Sequence, residues 1–312
     1  MPRGYLIYNP AAGRFPSRML CERAADVLRS AGWSIKLEQT YNADHIIELT
    51  RKAVEDEMDA LFVAGGDGSI NRAVAGLLGT NTALGVLPAG TANVWAQELG
   101  LPGLTWTRLT ALEETAHRLS CAKIYSIDVG RCNDVPFLLW AGIGLDAFIV
   151  HRIEPRQRWE KHFAILNYAA SVVWHATFWH GMNLEVEVEG EKINGHFLLA
   201  LVSNVHLYAG GFAQLSPQAR LDDAMMDLWL FEGETLGDTV ALALECISGD
   251  PSNSPDIHQI PFHHLVMKSD SPMYVQMDGE PYNIQGPIDI KTEPRALKVL
   301  IPDRTPHPLF SQ

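Results

Sequence analysis

The feature of this sequence that most limits its fold is a pair of similar junctions, each running from an apolar stretch through a glycine-rich turn into a helical pattern. In the first junction, residues 60–64 are apolar and three of the four residues 65–68 are glycine. The apolar stretch fits a strand that is buried on both faces. From Ser69 onward, apolar residues recur at three- and four-residue spacing, which predicts a helix with one buried face.

A glycine turn between a strand and a helix can hold a phosphate group. Glycine has no Cβ to block a ligand, and the free N–H groups and the dipole of the helix point into the turn. Residues 65–71 contain neither the dinucleotide motif G-x-G-x-x-G nor the G-K-[ST] of a Walker loop. Because glycine-rich turns are also common in parallel sheets, the spacing alone leaves an ordinary tight turn as an equal alternative.

The order of the predicted elements places this junction in a parallel sheet. Strands are predicted at 4–8, 33–39, 60–64 and 83–87, with helices after Ser17, over 43–57, from Ser69 and up to Leu99. This alternation favours a parallel sheet with helices on both faces, whose ligands bind beyond the carboxyl ends of the strands. Asn9, Thr40, the 65–69 turn and Thr91 all lie at those predicted ends.

From about residue 125 the pattern changes to short strands without intervening helices. Residues 184–189 alternate between apolar and acidic side chains, which predicts one buried and one solvated face. This half is therefore predicted to be mostly antiparallel β-structure, with domains at 1–124 and 125–312. The predicted strands are 126–130, 137–141, 184–189, 197–203, 226–231, 274–277, 288–291 and 297–301, with helices at 159–179 and 235–247 and a loop at 250–261.

The segments GGDGSIN, at 65–71, and LPAGTANVWAQELGLP, at 87–102, resemble the two signature motifs of the diacylglycerol kinase family of lipid kinases. That family shares its nucleotide-binding domain with NAD kinases and sphingosine kinases. The resemblance implies a doubly wound α/β N-terminal domain of NAD kinase type, a mainly antiparallel β-sandwich C-terminal domain, and an active site in the cleft between the domains. It also implies that the final residues pack back onto the first domain.

The resemblance further implies an ATP site in the first domain. The loop from Asn9 to Gly13 resembles the family's N-P-x-x-G motif, although an ordinary turn is the alternative because Pro10 makes Asn9 extended. The implied nucleotide-binding residues are Asn9, Pro10, Ala11, Ala12, Gly13, Thr40, Gly65, Gly66, Asp67, Gly68, Ser69, Asn71, Gly90, Thr91 and Asn93.

A stretch in the second half resembles the part of the family sequence that surrounds a structural Mg²⁺ ion. It implies that the Asp223 side chain and the carbonyl groups of Arg220 and Met225 bind the ion, which Asp128 reaches through water. Oxygen ligands and bound water are what Mg²⁺ prefers. Without the resemblance, this acidic stretch would be interpreted as a solvated loop. The family usually has glycine where Ala224 stands.

Residues 276–281, QMDGEP, follow a predicted strand, and Asp-Gly between strands is typical of a hairpin. They also resemble the family's Q-x-D-G-E motif, whose carboxylates lie at the γ-phosphate. Phosphoryl transfer requires a base, cations that bridge the phosphates, and positioning. We therefore assign Glu280 as the catalytic base, Asp278 as a neighbour that orients Mg²⁺ or the acceptor, and Asp67 as a partner of the catalytic Mg²⁺. Residues 142–147 resemble the family segment G-x-G-x-D-A, but a helix capped by Asp146 explains them as well, so they receive no catalytic role.

The formal charge of −13 and the isoelectric point near 5.3 argue against nucleic acid as a partner and against polybasic adsorption to anionic lipid. Membrane contact is therefore expected to be hydrophobic and transient. Four widely separated cysteines predict neither zinc nor a disulfide framework, and the first residues do not resemble a signal peptide. We expect a cytoplasmic protein, with peripheral contact at the inner membrane face as an alternative.

The function implied by the resemblance is an ATP- and Mg²⁺-dependent kinase that phosphorylates a hydroxyl group of a lipid such as diacylglycerol. The alternatives are a kinase that phosphorylates NAD and a regulator that binds nucleotide or lipid without turnover. Arg72 stands where many relatives have glutamate, and residues 94–95 are Val-Trp where many have Asp-Phe, so the identity of the lipid stays open. The oligomeric state is also open, with a homodimer as one alternative.

Overall fold

The computed structural model describes residues 1–10, 18–153, 179–235, 237–238 and 254–311. The chain divides into two compact units. The first unit comprises Met1–Val129, Arg220–Asp223 and Glu293–Gln312, and the second comprises Gly130–Ala219 and Ala224–Thr292.

The first unit contains a parallel sheet whose strands lie in the order β2 (Ser34–Gln39), β1 (Arg3–Tyr8), β3 (Ala60–Gly65) and β4 (Ala83–Pro88). The end of a later strand, β17 (Ile288–Ile301), joins this sheet beside β4, where Val299 pairs with Leu84. All residues of β3 and β4 are buried, as expected for strands covered on both faces. The predicted parallel α/β fold of this half is confirmed. The elements are β1 (Arg3–Tyr8), α1 (Arg18–Ser30), β2 (Ser34–Gln39), α2 (Ala43–Glu55), β3 (Ala60–Gly65), α3 (Asp67–Leu77), β4 (Ala83–Pro88), α4 (Val94–Glu98), α5 (Ala111–Ser120) and β5 (Lys123–Cys132), which runs into the second unit.

Antiparallel strands dominate the second unit, as predicted. Strand β9 is central, because β7, β8 and β12 all pair with it, and β8 shows the alternating burial that its sequence predicts. The elements are β6 (Val135–Phe137), β7 (Trp140–Gly144), α6 (Leu145–Ile153), β8 (Met182–Val188), β9 (Glu191–Ser203), β10 (Leu207–Tyr208), β11 (Ala213–Gln214), β12 (Met226–Glu232), β13 (Ile257–Phe262), β14 (His264–Lys268), β15 (Val275–Met277), β16 (Glu280–Tyr282) and β17 (Ile288–Ile301).

Three predicted boundaries in this half are wrong. The predicted loop at 250–261 includes most of β13. Pro261 is tolerated in this strand because, among the described strands, β13 pairs only with β12 and so has an edge where no backbone N–H donor is needed. The predicted strand at 137–141 is the end of β6 and the start of β7. The strands predicted at 288–291 and 297–301 form one strand of 14 residues, β17, whose polar middle hid its continuity.

The predicted helices at 159–179 and 235–247 lie almost entirely outside the described residues. None of the described helices combines the length and the hydropathy that a membrane-spanning segment requires.

Candidate active site

The two glycine turns of the first unit contact each other. The amides of Ala89 and Gly90 donate hydrogen bonds of 3.0 and 3.1 Å to the carbonyl oxygen of Gly65. A Cβ atom on Gly90 would lie 2.4 Å from the Cα atom of Gly66, a distance that real Cβ atoms do not reach. Glycine is therefore required here because two backbones pack directly together, and the turns predicted separately from sequence form one structure.

The first turn leads into a helix whose start has no side-chain cap. Helix α3 begins at Asp67, two residues before the predicted start, and its N-cap is Gly66 in an extended conformation without a side-chain hydrogen bond. The first amides of a helix have no partners within the helix, so an uncapped start is suited to bind an anion. Ser69 packs against the turn, because a Cβ on Gly65 would lie 2.8 Å from the Ser69 Cβ.

The second turn is closed by Asn93. Its Oδ1 accepts a hydrogen bond of 2.8 Å from the Gly90 amide, and its Nδ2 donates one of 2.9 Å to the Gly90 carbonyl. Asn93 has φ 54° and ψ 50°, in the left-handed region that asparagine tolerates better than most residues. The spacing G-T-A-N therefore has a local explanation, since a glycine and an asparagine three residues apart bond to each other.

The Asp67 carboxylate ties the two turns together. Its Oδ2 accepts a hydrogen bond of 3.1 Å from the Val94 amide, and its Oδ1 accepts one of 3.2 Å from the Trp95 amide, at the start of α4. Burial raises the pKa of this carboxyl group, and the backbone hydrogen bonds oppose the rise. The amides of Asn93 and of Asp67 itself act on the carboxylate as well as those of Val94 and Trp95, and a carboxylate has about four acceptor positions. The role of Asp67 as a partner of Mg²⁺ stays a prediction.

A cavity of about 480 Å³ opens beside the second turn, within the first unit. Its volume lies in the range of about 300–1,000 Å³ that small-molecule sites occupy. Residues of the segment 103–108, after α4, also line the cavity, and this segment has no motif that could indicate the cavity from sequence. The lining residues are Gly90, Thr91, Ala92, Asn93, Gln97, Leu101, Gly103, Leu104, Thr105, Thr107 and Arg108.

Of the other predicted nucleotide residues, Asn9 and Thr40 lie at the carboxyl ends of the parallel strands β1 and β2, and Asn71 lies in α3. The Asn9 amide donates to the Ala64 carbonyl at 3.3 Å, and the Thr40 amide donates to the Tyr8 carbonyl at 2.9 Å. The buried Thr40 hydroxyl also donates to the Tyr8 carbonyl, so this side chain secures the ends of β1 and β2. Thr91 is exposed and Asn71 is buried, while Ala11, Ala12 and Gly13 lie outside the described residues.

Asp128 and the segment 220–223, which contribute to the predicted structural Mg²⁺ site, both belong to the first unit. Buried Asp128 donates its amide to the Leu221 carbonyl at 2.7 Å, and its Oδ1 accepts a hydrogen bond of 2.7 Å from the Arg295 amide. It therefore lies beside the segment that holds Arg220 and Asp223, and the oxygen donors of this segment are of the type that Mg²⁺ accepts.

Three further observations bear on that site. Met225 belongs to the second unit, and the described part of the chain contains no group of three or more His, Cys, Asp or Glu side chains placed to hold a metal. Ala224 has a φ of 64°, a left-handed conformation that glycine adopts more readily than alanine. Binding of Mg²⁺ here stays a prediction.

In the second unit, residues 276–281 form the hairpin that the Asp-Gly pair predicts. Asp278 and Gly279 connect β15 to β16 with φ values of 50° and 82°, and Met277 pairs with Glu280. Positive φ at both central residues is characteristic of the type I′ turn that favours Asp-Gly. Glu280 is half-buried at the first position of β16.

The Asp278 side chain anchors this hairpin. Its Oδ2 accepts a hydrogen bond of 2.8 Å from the Leu138 amide, and its Oδ1 accepts bonds of 2.8 and 3.1 Å from Leu139 and Trp140. A buried carboxylate bound to three amides holds the backbone firmly, since such charge-assisted bonds are stronger than neutral ones. The geometry thus gives Asp278 an anchoring role, and its predicted role at the γ-phosphate stays a prediction.

A second buried carboxylate, Asp146, lies near the hairpin. Its Oδ2 accepts hydrogen bonds of 2.9 Å from Gln276 Nε2 and 3.1 Å from the Tyr208 hydroxyl. Its Oδ1 has no hydrogen-bond partner among the described residues. Burial raises the pKa of Asp146 from 3.8 to about 6, against the lowering effect of those hydrogen bonds. The sequence motif predicts only that this residue caps a helix, whereas it lies inside the first turn of α6.

Two protein-family models match the chain. The model of the diacylglycerol kinase catalytic domain matches residues 3–131, and the model of the YegS C-terminal NAD kinase beta sandwich-like domain matches residues 141–301. Both glycine turns lie in the first match and the Asp-Gly hairpin lies in the second. The resemblance inferred from the glycine motifs is confirmed.

Curated proteins and solved structures agree with these matches. The chain is 26% identical to the diacylglycerol kinase of Bacillus subtilis (strain 168), with 90% of each chain covered. It is 27% identical to a Klebsiella pneumoniae (strain 342) protein named "Probable lipid kinase YegS-like", with 98% of each covered. A crystal structure of a diacylglycerol kinase from Bacillus anthracis str. Sterne matches with a TM-score of 0.73 and 19% identity, covering 96% of this chain and 97% of that one. The last likeness confirms the fold class.

Proposed function

The chain belongs to the diacylglycerol kinase family, which makes it a phosphotransferase, and we propose that it transfers the γ-phosphate of ATP to a hydroxyl group of a lipid such as diacylglycerol. The observation that carries this proposal is the contact between Gly66 and Gly90 beside the uncapped start of α3. Backbone amides at such a place bind phosphate oxygens without a cationic side chain.

The proposed mechanism assigns positioning to the first unit and proton transfer to the second. The glycine turns hold the phosphates, and Asp67 keeps the turns in contact through the amides of Val94 and Trp95. Glu280 takes the proton from the acceptor hydroxyl, which a carboxylate can do when that proton leaves late in a loose transition state. Mg²⁺, held by carboxylates such as Asp67, would neutralise charge on the phosphates when bound.

The lipid acceptor is supported by the relatives rather than by the geometry. The two relatives described above are named as a diacylglycerol kinase and as a lipid kinase of YegS type. A lipid acceptor would be reached by transient contact with a membrane surface. The competing acceptor is NAD, because the family's C-terminal domain is NAD kinase-like.

The test is an assay with γ-labelled ATP and Mg²⁺, offering either a total lipid extract in detergent micelles or NAD. We expect label in the lipid fraction, where mass spectrometry of the product identifies the alcohol. Label in NADP and none in lipid would refute the lipid acceptor. Label in neither, with ATP binding retained, would favour the non-catalytic regulator.

The matched variant for this assay is Glu280→Gln, which keeps the shape of the side chain and removes the base. We expect transfer to fall at least ~10²-fold, the usual lower contribution of a general base, while the dissociation constant for ATP stays within twofold by titration calorimetry. Retained turnover would remove Glu280 as the base.

A further inference from the structure

The side chain of Gln276 connects a buried carboxylate to the turn that precedes Glu280. Gln276 is 1% exposed in the middle of β15. Its Nε2 donates to Asp146 Oδ2 at 2.9 Å, and its Oε1 accepts from the Gly279 amide at 2.8 Å. Both ends of one amide group are therefore used, and the acceptor end holds the residue directly before Glu280.

The packing around this connection leaves no room for a side chain at position 142. Gly142 pairs with Gln276 across β7 and β15. A Cβ on Gly142 would lie 2.3 Å from Asp146 Oδ2, so the carboxylate occupies the space that any larger residue would fill. The glycine at this position thus allows Asp146, in the first turn of α6, to reach over the sheet to Gln276.

The direction of the hydrogen bonds makes glutamine specifically suited to this position. The carboxylate of Asp146 accepts bonds and the Gly279 amide donates one. A residue between them must donate at one end and accept at the other, and among side chains of this length the neutral amide of glutamine does both. Tyr208 donates to the same Oδ2 and fixes Asp146 from the other side.

We propose that Gln276 is a positioning residue for the phosphoryl transfer, holding the Asp278-Gly279 turn so that Glu280 keeps the geometry in which it acts as base. The inference rests on the proposed function, in which Glu280 takes the proton of the acceptor. Gln276 itself does not touch the reacting atoms in this proposal. It acts through Gly279, while Asp278 anchors the other side of the same turn.

The first test is the variant Gln276→Met, which keeps the length of the side chain and loses both hydrogen bonds. We expect kcat to fall by about 10–100-fold, since a displacement near 1 Å can cost ~10²-fold in rate, with the KM for ATP within twofold of wild type. The control is Ser216→Ala, which removes a buried hydrogen bond of 2.8 Å from Trp229 Nε1 elsewhere in the second unit and should leave kcat unchanged.

A rescue separates positioning from general packing. Gln276→Glu alone faces one carboxylate with another and should lose activity like Gln276→Met. In the double variant Asp146→Asn/Gln276→Glu, the NH₂ group introduced at position 146 can donate to the carboxylate introduced at position 276. The other oxygen of that carboxylate can still accept the hydrogen bond from the Gly279 amide. Recovery of kcat to within about fivefold of wild type is expected, because the bond between positions 146 and 276 is kept in the reverse direction, the Tyr208 hydroxyl can accept where it now donates, and the bond from the Gly279 amide is unchanged.

Hydrogen exchange at the Gly279 amide provides a readout that needs no activity. Exchange should accelerate in Gln276→Met, stay slow in Ser216→Ala, and slow again in the double variant. Unchanged exchange at Gly279 in Gln276→Met would overturn the proposal, and so would faster exchange with kcat unchanged.

The background Glu280→Gln separates this inference from the proposed function. If Gln276 acts through Glu280, adding Gln276→Met to Glu280→Gln causes no further loss of transfer, and an additive loss would overturn the inference. If Glu280→Gln proves fully active, the assignment of the base fails, while Gly279 exchange still reports whether Gln276 holds the turn. Should Gln276→Met not fold, Gln276→Glu and its rescue decide.

Discussion

Replacing Asp146 with asparagine should stabilise the protein at neutral pH. Burial raises the pKa of this carboxyl group from 3.8 to about 6. The contribution of the Asp146 side chain to the free energy of unfolding is therefore fully present below pH 3.8, where the group is neutral. This contribution is lost as the pH rises through about 6, because the folded state then holds a buried charge. Asparagine has nearly the shape of the neutral acid and never acquires that charge.

The size of this stabilisation follows from the rise of about two units in the pKa of Asp146. At about 1.36 kcal/mol for each unit, the buried charge costs the folded wild type ~3 kcal/mol at neutral pH. The side-chain oxygen of the introduced asparagine can accept from Gln276 and Tyr208 as Oδ2 does now, and its NH₂ group would replace the oxygen that lacks a partner. An unpaired buried donor costs ~1 kcal/mol or more, so the expected net gain at pH 8 is ~1–2 kcal/mol. Near pH 4, where the carboxyl group is largely protonated in the folded state, only the cost of the unpaired NH₂ group remains, so the variant should be ~1 kcal/mol less stable than the wild type.

Urea titrations at pH 4, 6 and 8 measure this difference. The control is Glu114→Gln, because Arg108 and Arg118 lower the pKa of the Glu114 carboxyl group, so its contribution is present at neutral pH and is lost in acid. The two variants should change stability in opposite directions as the pH falls from 8 to 4. A pH-independent difference for Asp146→Asn, or a loss of stability at pH 8, would refute the reasoning.

Three further predictions concern backbone contacts. Ala224→Gly should stabilise the protein by up to ~1 kcal/mol, since alanine at a φ of 64° is strained, and a lower melting temperature would contradict it. Gly90→Ala should abolish ATP binding in calorimetry because its Cβ would lie 2.4 Å from the Gly66 Cα, whereas the control Gly237→Ala in the second unit, whose nearest contact is 3.4 Å away, should still bind. Asp278→Asn should lower the free energy of unfolding by ~1–3 kcal/mol, because an NH₂ group would face backbone N–H donors, and an unchanged urea midpoint would contradict the anchoring role.

The parts of the fold that sequence could predict are those set by neighbours along the chain. The apolar stretches that became β3 and β4, and the hairpin at Asp278-Gly279, depend on local burial and turn chemistry. Strand β13 was missed because two of its six residues are polar and one is proline, and among the described strands only the distant β12 pairs with it. Local propensity carries little information about such pairings.

The same distinction applies to the site. The motif residues were found from sequence, but their bonding partners were not, because those partners are distant in the chain. Asp67 binds amides 27 and 28 residues later, and Asp278 binds amides up to 140 residues earlier. The connection from Asp146 through Gln276 spans 130 residues, and the cavity beside Gly90 is walled by a segment without a motif.

These partners change how the carboxylates of the family motifs should be tested. Asp67, Asp128 and Asp278 each accept hydrogen bonds from backbone amides, so replacing any of them removes a structural support as well as a negative charge. Lost transfer in such a variant is therefore expected to accompany a lower free energy of unfolding, and activity alone cannot assign the residue to chemistry.

The discriminating experiment compares Asp67→Asn with Glu280→Gln at matched folded fractions. Asparagine at position 67 can accept one of the two amide bonds from Val94 and Trp95, so we expect it to loosen the second turn and weaken ATP binding together with transfer. Glu280→Gln should lose transfer with its unfolding midpoint and its ATP affinity unchanged. Equal losses of ATP affinity in both variants would mean that Glu280, too, supports the structure, and the base would have to be sought elsewhere.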